Sequence, residues 1–148
     1  MPIAGVPESG FKTVGQIVPT NTLKFARGQN ALAVAVELLA SHTPGAPVVD
    51  EHNHFVGFIS EFDVLRALEA GKDLHRLTAG EIMVTERIAV KDTTSIKEAV
   101  RIMEDRRLLN LPIERNGEVV STVTRHDLLR AWLGLDWEWE SSKAVRIP

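Results

Sequence analysis

The chain has no cysteine, which excludes disulfides, thiolate nucleophiles and Cys-based zinc sites. No apolar run approaches the roughly 20 residues that a membrane-spanning helix needs; ALAVAV at 31–36 is the longest conspicuous one. MPIAGVPESG, at the start, has no basic stretch followed by an apolar segment and does not read as a secretory signal. A cytoplasmic location without membrane contact is therefore the default expectation. The formal charge of −3 and a pI near 5.9 lack the basic field that draws proteins to phosphate backbones, so no nucleic-acid partner is expected. Gly-rich phosphate loops, HExxH and GxSxG are also missing. The chain reads as a non-enzyme, with no catalytic residue and no catalytic cofactor. His52 and His54 fall in what reads as a hairpin turn, and His42 and His75 are read as isolated, so no metal site is expected either.

What is present is the balance of a globular protein: 148 residues, 44% apolar and 25% charged, enough for one ordinary domain or two small lobes sharing a core. The chain also repeats itself. TVGQIV at 13–18 returns as TAGEIM at 78–83, AVELL at 35–39 as AVRIM at 99–103, and FISEFD at 58–63 as TVTRHD at 122–127. Two units result, 13–72 and 78–134, with a head over 1–12 and a tryptophan-containing tail over 135–148.

Each unit reads as strand, helix, strand, strand, helix. Leu32, Val36 and Leu39 mark a helical face in the first unit, and Ile96, Ala99, Val100 and Met103 in the second. Thr94 or Ser95 suits the N-cap of the second helix, with Glu98 placed to complete a capping box. APVV and FVGFIS flank EHNH, and LPI and VVSTVT flank ERNGE, two hairpins of which Asn116-Gly117 carries the stronger turn signal. A small sheet covered on one face by helices is too thin to stand alone, so the two copies are expected to pack about a pseudo-twofold axis in an α+β fold.

APVVD-x4-FVGFISEFDVLRAL and NLPIE-x3-EVVSTVTRHDLLRAW, each preceded by AVELL or AVRIM, resemble a tandem pair of cystathionine β-synthase (CBS) domains over about four-fifths of the chain. The resemblance implies tandem β-α-β-β-α units, a regulatory role, and an adenosine-containing ligand (AMP, ADP, ATP or S-adenosylmethionine) held between the copies. It further implies a homodimer of pairs, joined through the stripes DVLRAL and DLLRAW, that signals to an effector protein whose identity is unknown. A ligand-free interaction scaffold is the alternative.

Two readings of the echoed Ser/Thr-x-x-Asp stand side by side. In one, Ser60 and Thr124 cap helices whose first turns hold Asp63 and Asp127 near the positive dipole end. In the other, each carboxylate accepts from the vicinal hydroxyls of a ribose, with Ser60 and Thr124 as supporting hydroxyls. The resemblance places Asp63 and Asp127 on the ribose and makes Ala46, Pro47, Leu111 and Pro112 the apolar wall for adenine. Arg125 and His126 follow Thr124 where the first copy has Glu61, which favours a phosphorylated ligand in the second site. Arg106 and Arg107 suit either a ligand or the dipole of the preceding helix end. Gly57 becomes Ser121 in the second copy. Trp132 is expected to pack in the core or an interface, and Trp137 and Trp139 to dock on a partner subunit, on this chain or on another protein.

Overall fold

The computed structural model describes residues 12–18 and 21–135. The head through residue 11 and the tail with Trp137 and Trp139 lie outside the described residues. The first unit runs β1 (Phe25–Ala26), α1 (Ala31–Ala40), β2 (Gly45–Val49), β3 (Phe55–Ser60) and α2 (Glu61–Glu69). After the short helix α3 (Ala79–Ile82), the second unit runs β4 (Val90–Lys91), α4 (Ile96–Arg106), β5 (Asn110–Arg115), β6 (Glu118–Thr124) and α5 (Arg125–Trp132). Each forms a three-stranded sheet whose middle strand is parallel to the first and antiparallel to the third. This is the β-α-β-β-α order expected from the repeat.

Local chemistry explains the elements. Asn116 and Gly117 take φ of 53° and 81°, the left-handed pair that a tight hairpin turn requires. In the other hairpin the Asp50 carboxylate accepts from the backbone N–H groups of His52 (2.8 Å) and His54 (3.0 Å). These bonds, that of His54 foremost, hold the Asp50 carboxyl below its ordinary value. His52 and His54 themselves are exposed turn residues. Ser95 caps α4 by accepting from Glu98 N–H at 3.1 Å, while the Glu98 carboxylate pairs with Arg101 at 3.0 Å rather than closing a capping box.

The face of α1 differs from the expected one. Ala31, Val34 and Leu38 point into the core, whereas Val36 and Leu39 are 57% and 67% exposed. Almost every position of ALAVAVELLA is apolar, so periodicity does not choose a side; packing against the sheet does. In α4 the expected face holds, with Ile96, Ala99 and Met103 buried and Val100 packed against them.

The units are joined by exchange of their lead-ins. Val14 N–H donates to Thr94 O, Gly15 N–H to Asp92 O, and Ile96 N–H to Lys12 O, all at 2.9 Å. Reciprocally, Ala79 N–H donates to Gln29 O, Gly80 N–H to Arg27 O, and Ala31 N–H to Leu77 O, all at 2.8 Å. Each bond of one set is the other's counterpart 65 residues along, as a pseudo-twofold axis demands. Val14 and Ile17 accordingly complete the core of the second unit, and Leu74 and Ala79 that of the first. A third cluster, Val49, Phe55 and Val119, seals the seam. Asn110 Nδ2 crosses it to donate to Gly45 O at 3.0 Å in a buried bond. No helix among the described residues is long and apolar enough to cross a membrane.

The repeated glycines of TVGQIV and TAGEIM follow from this exchange, because each lead-in lies against the opposite unit. A Cβ on Gly15 would meet Asp92 O at 2.6 Å, whereas one on Gly80 would first meet the flexible Arg27 Cγ at 2.7 Å. Gly15→Ala is therefore expected to cost about 1–3 kcal/mol in urea unfolding, and Gly80→Ala distinctly less. Equal losses would contradict the packing described.

Candidate functional site

Strand β3 delivers Ser60 in extended conformation to the start of α2, and β6 delivers Thr124 to the start of α5. Each third helical residue, Asp63 or Asp127, turns back and closes a capping box. Ser60 Oγ accepts from Asp63 N–H at 3.3 Å, and Asp63 Oδ2 accepts from Ser60 N–H at 2.7 Å and Ser60 Oγ at 2.9 Å. In the second unit the matching distances are 3.2, 2.8 and 3.1 Å. The remaining oxygen of each carboxylate takes an arginine one turn on: Arg66 to Asp63 Oδ1 at 2.7 Å and Arg130 to Asp127 Oδ1 at 3.1 Å. The capping reading of the repeated motif is thus met in both copies.

The two arginines differ in one respect. The Arg66 side chain is 68% exposed and that of Arg130 only 7%, while both carboxylates are buried. Position 58 also differs: Phe58 in the first unit, Thr122 in the second, whose buried Oγ1 has no hydrogen-bond partner among the described residues. The copies share a backbone plan and hold their carboxylates differently.

Beside Asp63 a cleft of about 290 Å³ opens between the units. Ser60, Asp63 and Arg66 line its polar side, and Phe58, Leu109 and Pro112 its apolar side. Val84 and Glu86, between α3 and β4, complete one wall, with Glu86 also paired to Arg106 at 3.2 Å. Arg107 leaves α4 with φ of 53° and lines the same cleft, so of the two cations at that helix end it is Arg107 that reaches the cleft.

The other expected site residues are placed as follows. Pro112 lines the cleft, whereas Ala46 lies in the first core and Leu111 in the second. Pro47 is fully buried and paired with Phe58 in the sheet. Alternation along a strand sends neighbours to opposite faces, so Leu111 and Pro112 cannot both face the cleft. Thr124 and Asp127 lie at the start of α5, in the second unit. Arg125 lines a separate groove of about 640 Å³ between α4 and α5, with Leu128, Leu129 and Trp132, and His126 is exposed. As the first two residues of α5 they leave the helix in directions other than that of Asp127, the third, whose side chain turns inward to close the box. Gly57 lies under Met83 and Val84, which leave no room for a side chain, and Ser121 is buried. Trp132 is 47% exposed rather than buried in the core. Phe58, Arg66, Val84, Glu86 and Leu109 line the cleft without being singled out by the motifs. The repeat of Asp-x-x-Arg in DVLRAL and DLLRAW was the available signal for Arg66.

Comparison with known proteins matches the CBS domain family model twice, over residues 14–70 and 79–134. An uncharacterized protein of Methanopyrus kandleri is 27% identical over 120 residues, 80% of this chain and 61% of that one. The chain thus spans about three-fifths of that relative. The chloroplastic CBS domain-containing protein CBSX2 of Arabidopsis thaliana is 25% identical over 166 residues, 91% of this chain and 69% of that one. Its crystal structure in complex with AMP superposes with a TM-score of 0.69 at 24% identity, covering 82% of this chain and 96% of that one. The CBS domain pair of protein MJ0100, in complex with 5-methylthioadenosine and S-adenosyl-L-methionine, gives 0.68 at 24% identity, covering 81% and 94%. These two structures share the fold.

The unequal burial of the arginines makes the two carboxylates unequal in stability. Asp127→Ala removes a buried carboxylate partner of the Arg130 guanidinium together with a closed capping box and is expected to cost about 3 kcal/mol. Asp63→Ala loses a helix-start contact beside a solvated arginine and is expected to cost about 1 kcal/mol. Denaturant unfolding of both variants checks this, and a larger loss at Asp63 would contradict it.

Proposed function

The chain belongs to the CBS domain family, and from that premise we propose that it is a regulatory module whose cleft at Asp63 binds an adenosine-containing ligand. The observation that carries this reading is the cleft itself, where a buried carboxylate faces an apolar wall built from both units. Asp63 takes the ribose hydroxyls, and Phe58, Leu109 and Pro112 take the base. The complexes of CBSX2 with AMP and of the MJ0100 pair with S-adenosyl-L-methionine support the ligand class. A volume of about 290 Å³ lies just below the roughly 300–1,000 Å³ typical of ligand clefts. It suits one mononucleotide better than a dinucleotide.

Because both units line the cleft, a bound ligand favours one angle between them. It shifts that equilibrium only by its difference in affinity for the two arrangements. A separate effector protein reads the shift; the chain itself performs no catalysis. The exposed Phe62, Leu65 and Leu68 of α2 and Leu129 and Trp132 of α5 supply apolar faces for a homodimer with an isologous contact. The scaffold reading draws on the fact that the carboxylates already serve as helix caps.

Calorimetric titration with adenosine, AMP, ADP, ATP and S-adenosylmethionine, against GMP, separates the two. Saturable, adenine-selective binding near one site per chain is expected. Asp63→Ala is expected to weaken it about ten- to a hundredfold. No heat with any of these ligands, together with unchanged melting temperature, would leave the scaffold.

A further inference from the structure

A carboxylate offers about four lone-pair positions, and at Asp63 three are taken. Ser60 N–H and Ser60 Oγ both donate to Oδ2, and Arg66 donates to Oδ1. A vicinal diol needs two acceptor positions, and one remains. The Ser60 bonds are the cap of α2 and cannot be given up without loosening the helix start. The Arg66 bond can be, because its side chain is 68% exposed and passes from the carboxylate into water at little cost. The corresponding Arg130 is 7% exposed and has no such exit.

We propose that Arg66 sets the ligand preference of the Asp63 cleft, leaving the carboxylate when a ribose enters and turning to an anionic group on the same ligand. This rests on the reading of that cleft as a ribose site. Arg66 is rooted one helical turn beyond Asp63 and lines the cleft on the same side, and a 5′ phosphate lies one sugar ring from the diol. A nucleoside without that phosphate displaces Arg66 and gives it only water in exchange. A nucleoside monophosphate returns a charge-assisted hydrogen bond. The preference for a phosphorylated ligand, expected from Arg125 and His126 in the second copy, is thereby assigned to the first.

The test is the ratio of adenosine to AMP dissociation constants, measured by calorimetry on the whole chain and on Arg66→Gln. Arg66→Gln is expected to tighten adenosine about two- to fivefold, since no guanidinium competes for Asp63. It is expected to weaken AMP about tenfold or more. The ratio is read within each protein, so a general loss of stability does not move it. Arg66→Met, which keeps the apolar stem, is expected to change the ratio the same way. Binding of both ligands with the ratio unchanged in both variants would overturn the role of Arg66 while leaving the cleft as a ribose site. Binding of neither ligand to the parent chain would overturn both.

Discussion

Everything in this molecule depends on the reciprocal latch between its halves. A three-stranded sheet with two helices leaves one face and several edges uncovered, and here the cover comes from the other half. Val14 and Ile17 fill the second core, Leu74 and Ala79 the first. Because each lead-in pairs with the opposite unit through three backbone bonds, neither half has a complete core by itself. The cleft is a product of the same seam. Its walls come from β3 and α2 on one side and from the end of α4 and the start of β5 on the other. The buried Asn110 to Gly45 bond sets their separation at the base.

Asp63 joins that architecture to chemistry. A helix start has free N–H groups and a positive dipole end, so a carboxylate there is stabilised whether or not a ligand is present. The cap holds Asp63 facing the cleft and Arg66 keeps it neutralised in the absence of ligand. At Asp127 the same cap is accompanied by a buried arginine, and the carboxylate is committed to the fold. One motif, copied once, therefore yields one carboxylate that can exchange partners and one that cannot. The difference lies in the surroundings of the arginine.

Much of this was legible in the sequence. The repeat itself, the element order, the turn at Asn116-Gly117 and the caps at Ser60 and Thr124 all rest on local rules that tertiary context did not override. The rest depended on packing. Periodicity could not orient α1, because nearly all its residues are apolar. Adjacency in sequence suggested that Arg125 and His126 stand beside Asp127 in space, but the first three residues of a helix point in different directions. Ala46 and Leu111 were grouped with the prolines beside them, although a strand sends neighbours to opposite faces. The exchange of lead-ins left one trace, the repeated glycine of TVGQIV and TAGEIM. Its cause, close approach to the opposite unit at Asp92 and Arg27, is visible only in three dimensions.

The central claim is that the Asp63 carboxylate trades Arg66 for a ribose. The most direct measurement is a crystal structure of the chain grown with AMP. The account predicts the nucleotide in the cleft beside Phe58 and Pro112, both ribose hydroxyls on Asp63 with the Ser60 cap intact, and Arg66 turned onto the phosphate. AMP bound beside Asp127 alone, or bound in the cleft with the Arg66–Asp63 pair still closed, would contradict it.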